Sequence, residues 1–127
     1  MQVTIRTAGR SVAVILDDTA IARDFAAFLP LKLELSDYGK VEKIADLPRS
    51  LDVAAEAAGY SPATGDVAFY APWGNLAIFL HEFRYSDGLV RLGRIDAGLD
   101  VLAAPGALTV TIEATSVASQ TIKGSQT

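Results

Sequence analysis

The chain has 127 residues and no cysteine, with one histidine, one methionine and one tryptophan among them. Without cysteine there is no disulfide, no thiol nucleophile and no thiolate ligand. A single histidine leaves structural zinc without its usual Cys/His set. It also leaves any serine nucleophile with His81 as its one candidate base, and no Gly-x-Ser-x-Gly elbow presents such a serine. No dinucleotide-binding Gly-x-Gly-x-x-Gly follows a strand, and no phosphate-binding Gly-x-x-x-x-Gly-Lys-Ser/Thr occurs. No cofactor or metal is therefore expected. Long apolar runs are missing as well, far short of the ~20 residues of a membrane-spanning helix. The first residues, Met1 to Arg6, show no basic stretch leading into an apolar one, so no secretory signal is expected. A cytoplasmic location fits these absences. Basic charge is scarce and scattered, 11 bases against 15 acids for a net charge of −4. That argues against nucleic acid as a partner and against an anionic membrane surface.

What is present is half hydrophobic, enough for a real core in one domain. No period of 20 to 50 residues recurs, which excludes a repeat architecture. The stretch from Gly65 to Leu80 organises the rest. Two apolar runs of strand length, Val67 to Ala71 and Leu76 to Leu80, flank the turn-forming Pro72, Gly74 and Asn75. The sole tryptophan, Trp73, sits at the tip of this expected hairpin.

Upstream, Val3 to Thr7 and Val12 to Leu16 read as a strand pair turning at Gly9 and Arg10. Asp18 is the expected N-cap of a helix whose apolar face is Ile21, Phe25, Phe28 and Leu29, stopped by Pro30. Leu31, Leu33 and Leu35 alternate with polar residues, the pattern of a half-buried strand. Asp37, Tyr38 and Gly39 turn the chain into a short strand within 41–47. Between Pro48 and Pro62, the alanine-rich run 54–58 has helical propensity, but the flanking prolines and Gly59 favour a surface loop. His81 to Gly88 reads as a polar, aromatic loop and Leu89 to Ile95 as a strand. Asp96 is the expected cap of an optional second, short helix reaching Ala103 and stopped by Pro105 and Gly106. Leu108, Val110 and Ile112 alternate in a last strand. Residues 1–113 form one domain in this reading, and the Ser/Thr/Gln-rich 114–127 a flexible tail. The fold class is mainly β. Short strands broken by turn residues suit a closed barrel, which leaves no free sheet edge.

Four blocks resemble the bacterial cyclophilin-like domain family. They are Gly65 to Phe79; Ala22-Arg23-Asp24-Phe25 through Leu29-Pro30-Leu31; Leu35-Ser36-Asp37-Tyr38 through Ala45-Asp46-Leu47-Pro48; and Leu89 to Ile95. Together they span Val3 to Glu113. The resemblance implies a cyclophilin-like β-barrel with one amphipathic helix, in a family whose functions are mostly unassigned. The Phe-His-Arg and Phe-Met-x-Gln-Gly-Gly blocks of cyclophilins are absent here. The resemblance also reaches the cyclophilin-like subunits of amide-opening and carboxylating enzymes, though no residue pattern argues for that activity.

Candidate site residues lie in these blocks. Trp73 offers a flat apolar surface with an N–H, suited to a ligand or to packing on the barrel rim. Tyr70 and Phe69 must face opposite sides of their strand, and register decides which lines the core. Asn75 reads as a turn residue with the cleft as its alternative. Arg91 and Arg94 bracket Gly93 and could grip a carboxylate or carbonyl, or simply be ion-paired. Tyr38 and Glu42 complete a set that a closed barrel could gather around one cleft. The resulting expectation is a binding module for a small molecule or short peptide. The alternative is a peptidyl-prolyl isomerase that would use Trp73, Tyr70 and Arg91. Oligomeric state leaves no trace in the sequence.

Overall fold

The computed structural model describes residues 1–52 and 58–115. Eight strands close into an antiparallel barrel in the order β1-β2-β7-β5-β6-β4-β3-β8. The strands are β1 Gln2–Thr7, β2 Arg10–Leu16, β3 Leu31–Tyr38, β4 Glu42–Asp46, β5 Asp66–Tyr70, β6 Asn75–Phe79, β7 Leu89–Ala97 and β8 Leu108–Ala114. Helix α1, Ala20–Ala26, links β2 to β3, and the single turn α2, Leu99–Leu102, lies between β7 and β8. The pairing registers put α1 and the β5–β6 turn at one end of the barrel and α2 at the other. None of the described helices is long and apolar enough to cross a membrane.

The interior is filled by alternate residues of each strand, including Val3, Ile5, Val12, Val14, Phe69, Leu76, Ile78, Leu92, Val110 and Ile112. Ile21 and Phe25 of α1 and Leu102 of α2 join the same cluster from the two ends. Burial of this apolar surface is the main stabilising term. The barrel also needs one bare backbone position. A Cβ on Gly93 would lie 2.3 Å from the carbonyl oxygen of Ile15, so only glycine lets β7 approach β2 there.

Lys43 is a buried cation within the walls. Its side chain is fully buried, and its ammonium bonds the carbonyls of Ala104 and Gly106, each at 2.7 Å, and the Asp37 carboxylate at 2.6 Å. Three oxygens around one ammonium satisfy all its donors, which is how a buried cation is tolerated. The bonds tie the loop after α2 to the β3–β4 hairpin.

Several local expectations are corrected. The N-cap of α1 is Thr19, whose hydroxyl accepts the N–H of Ala22 at 3.2 Å. Asp18 instead pairs with Arg23 at 2.6 Å, and a carboxylate turned to a cation is lost to the cap. Phe28 is only half-buried, because the helix ends before it and the Arg49 guanidinium covers its ring at 4.4 Å. Asp96 belongs to β7, and α2 starts instead after Gly98, at φ 97°. Asn75 opens β6, leaving Gly74 with its positive φ to make the turn. Strand β8 continues through Ala114, and the Thr115 N–H bonds the Gln2 carbonyl at 3.1 Å. The rest of the expected tail, 116–127, and positions 54–57 of the alanine-rich run lie outside the described residues.

Candidate functional site: a cleft on the outer barrel wall

Strands β5 and β6 are buried on both faces: all five residues of β6 are buried, as are four of the five in β5. Their continuous apolar runs follow from this, since a strand covered on one side only would alternate. The inward face joins the barrel core. On the outward face, Ala68, Ala77, Phe79 and Leu89 form a second apolar cluster, with Ile44, Tyr60, Tyr70 and Phe83 packed around it. Two loops cover it and are held to each other. The Ser86 N–H bonds the Tyr60 carbonyl and the Phe83 N–H the Pro62 carbonyl, both at 3.1 Å. Gly88 permits the close approach of the second loop to the β5–β6 turn, for a Cβ there would lie 2.8 Å from Pro72.

The cover is incomplete, and a cavity of about 200 Å³ opens through it. Its apolar wall includes Ile44, Phe79, Phe83 and Leu89, and its polar groups are Glu42, Asn75, Arg84 and Ser86. Tyr38, Tyr70 and Trp73 complete the lining. Tyr38 ends β3 and Trp73 stands in the turn at the far end of the sheet, yet their rings meet edge-to-face with centroids 5.6 Å apart. Trp73 meets Tyr70 in the same way at 5.3 Å. Such contacts favour the trio's geometry, but Tyr38 and Trp73 remain about half exposed, at 49% and 55%. Large aromatics left open to water beside a cavity belong to the surface rather than to a core.

Two polar groups in the lining are unpaired. Asn75 is 3% exposed, and its side-chain oxygen has no hydrogen-bond partner among the described residues. A buried acceptor in that state carries a cost of about 1–3 kcal/mol. Glu42 is half-buried, and its side chain makes no hydrogen bond or ion pair with any described residue. Burial alone pushes its carboxyl above the usual carboxylate range. Asp37, across the same hairpin, shows the reverse. Its hydrogen bond to Lys43, reinforced by the Gly106 N–H at 2.7 Å, holds its carboxyl below that range.

The structure therefore brings Tyr38, Glu42, Tyr70, Trp73 and Asn75 to one cavity, and it turns Phe69 into the core. Arg91 and Arg94 are placed elsewhere. Arg91 lies on the outer face of β7 beyond Leu89, its Nε 3.1 Å from the Asp17 carboxylate and its guanidinium 4.0 Å from Asp66. Asp66 is itself buried, accepting the Tyr60 hydroxyl at 3.1 Å and the Ala63 N–H at 2.9 Å. Burial, and then the Asp66 charge, push the Tyr60 phenol far above its ordinary value. This group anchors the loop beside β5. Arg94 is exposed and lies 3.5 Å from Asp96. The cation that does line the cavity is Arg84, stacked on the Phe83 ring at 4.6 Å. Sequence reasoning left it inside a polar loop. The only signal was its place beside a phenylalanine in an otherwise polar run.

The barrel fold is shared with a known protein, and the sequence with a known family. The sequence matches the cyclophilin-like family over residues 5–113. The chain belongs to that family. The solution structure of the hypothetical protein AF2241 from Archaeoglobus fulgidus is similar, with a TM-score of 0.63 and 18% identity over 89% of this chain and 93% of that one. At that identity the likeness is one of fold. No curated protein matches the sequence.

Proposed function

We propose that this barrel is a binding module and that the cleft of Tyr38, Glu42, Tyr70, Trp73 and Asn75 receives a small molecule or the end of a short peptide. The observation that carries the reading is the Asn75 side-chain oxygen, buried in the cleft wall without a partner. Buried polar groups are nearly always satisfied, and a ligand N–H or O–H would satisfy this one. The exposed faces of Trp73 and Tyr38 would cover its apolar part. The cavity is smaller than the ~300–1,000 Å³ of drug-sized sites, which favours a compact ligand. The isomerase alternative has less support, because Arg91, the arginine it needs on the substrate, faces Asp17 outside the cleft lining.

The test is a thermal-shift screen of metabolites and short peptides, followed by Trp73 fluorescence. A ligand at a hundred times its Kd stabilises by about 2.7 kcal/mol, a rise in Tm of roughly 10 °C for a chain of this size. The expected hit also quenches or shifts Trp73 emission. Stabilising ligands that leave that emission unchanged, or no stabilising ligand at all, would overturn the proposal.

A further inference from the structure

Glu42 and Arg84 line one small cavity, yet they form no ion pair with each other. Opposite charges facing one small space would ordinarily close on each other. Here each is held back. Glu42 is fixed in β4, opposite Tyr38 on one side and Phe79 on the other. The Arg84 guanidinium rests on Phe83. Asn75 adds a second free acceptor. Among the described residues, the cavity thus has acceptors without donors, a forked donor without an acceptor, and apolar surface in the same lining.

We infer that the cleft takes a small zwitterion of the amino-acid class. Its ammonium sits on Glu42 and the Asn75 oxygen, its carboxylate on Arg84, and its apolar or aromatic side chain against Tyr70 and Trp73. This rests on the binding-module reading above and narrows it to one ligand chemistry. An ammonium has three donors for those acceptors. A carboxylate matches the two parallel N–H bonds of a guanidinium. Tyr38, opposite Glu42 in the β3–β4 pair, adds a ring that attracts a cation. Size agrees, for 200 Å³ holds about seven waters at liquid density, the bulk of one amino acid. Both charges occur close together on a free amino acid, whereas a longer peptide carries only one at each end.

The experiment titrates the intact protein with the free L-amino acids by calorimetry, then with the Nα-acetyl and carboxamide derivatives of the tightest binder. At least one amino acid is expected to bind, and each blocked derivative to bind about tenfold more weakly or worse, the loss expected of a charged hydrogen bond. Glu42→Gln should weaken the free amino acid by a similar factor and leave the Nα-acetyl form unaffected. Arg84→Gln should do the same for the free amino acid and spare the carboxamide; it lies on an exposed loop, so folding is not in question. Blocked forms binding as well as the parent would overturn the inference, as would a panel with no binder. If the broader screen still finds a ligand that perturbs Trp73, the binding-module reading stands and only the zwitterion falls. If that screen is also empty, both fall.

Discussion

Two parts of the barrel wall are built from strands of one kind but treat water differently. On β1, β2 and β8 the outward residues are mostly polar or exposed, such as Gln2, Arg6, Ser11 and Thr109, and Arg6 reaches Glu113 at 2.8 Å. Each of these strands is buried on one face only. On β5 and β6 both faces are buried, and the outward one carries its own apolar cluster under two loops. A barrel needs only its inside filled to be stable. A second apolar layer on one wall, with an opening in it and unpaired polar groups in that opening, is structure beyond what closure requires. The contrast separates the part of the wall that closure requires from the part that the proposed binding would use.

The sharpest break between the two parts uses one residue type in both. Phe25→Ala empties a site in the interior cluster and is expected to destabilise by about 3–5 kcal/mol in urea unfolding. A loss under about 1 kcal/mol would show that α1 does not plug the barrel. Phe83→Ala removes a half-buried ring from the outer cover. It is expected to cost only about 1–2 kcal/mol, while changing Trp73 emission and abolishing binding in the cleft. Equal losses for the two variants would erase the distinction between core and cover.

Two carboxylates of the β3–β4 hairpin sharpen it further. Asp37 has a lowered pKa through Lys43, so its contribution is present above the ordinary aspartate value and lost as pH falls through its folded value. Asp37→Asn should therefore destabilise at neutral pH, with the difference from wild type shrinking below about pH 4. Glu42 has a raised pKa from burial, so its protonated form is the one folding favours, and that contribution is lost as pH rises through the folded value. Glu42→Gln should match wild type in acid and exceed it at neutral pH. Stability curves against pH for the two variants check both signs. The smallest effect is expected in a prolyl-isomerase assay, where kcat/KM should stay below roughly 10⁴ M⁻¹s⁻¹. Activity above that, lost in Arg91→Ala, would return the isomerase reading to first place.

Part of this contrast was legible in the sequence. Alternation at Leu31, Leu33 and Leu35 announced a strand wet on one face, and the unbroken Val67 to Ala71 and Leu76 to Leu80 announced a strand pair, whose burial on both faces only the structure adds. The gathering of Tyr38, Glu42 and Tyr70 near Trp73 could be expected once a barrel was assumed. What stayed hidden depends on contacts far apart in the chain. Whether Arg91 was free depended on Asp17, at the end of β2, and on Asp66. Arg84 acquires its place only when the loop from His81 to Gly88 folds back and pairs with Tyr60. Phe69 and Tyr70 are adjacent, and only the register of β5 against its neighbours assigns one to the core and the other to the cleft. Asp18 and Thr19 were both able to cap α1, and the pairing of Asp18 with Arg23 decided between them.

The central claim is that the polar groups of the cleft serve recognition and contribute nothing to folding. It can be tested without knowing the ligand, by measuring the unfolding free energy of the double variant Glu42→Gln, Asn75→Leu at neutral pH. Removing a buried acceptor without a partner and a carboxylate without a cation should leave the empty protein as stable as wild type or more so, since active sites commonly sacrifice stability. A loss of more than about 1 kcal/mol would contradict the claim and make Glu42 and Asn75 parts of the scaffold.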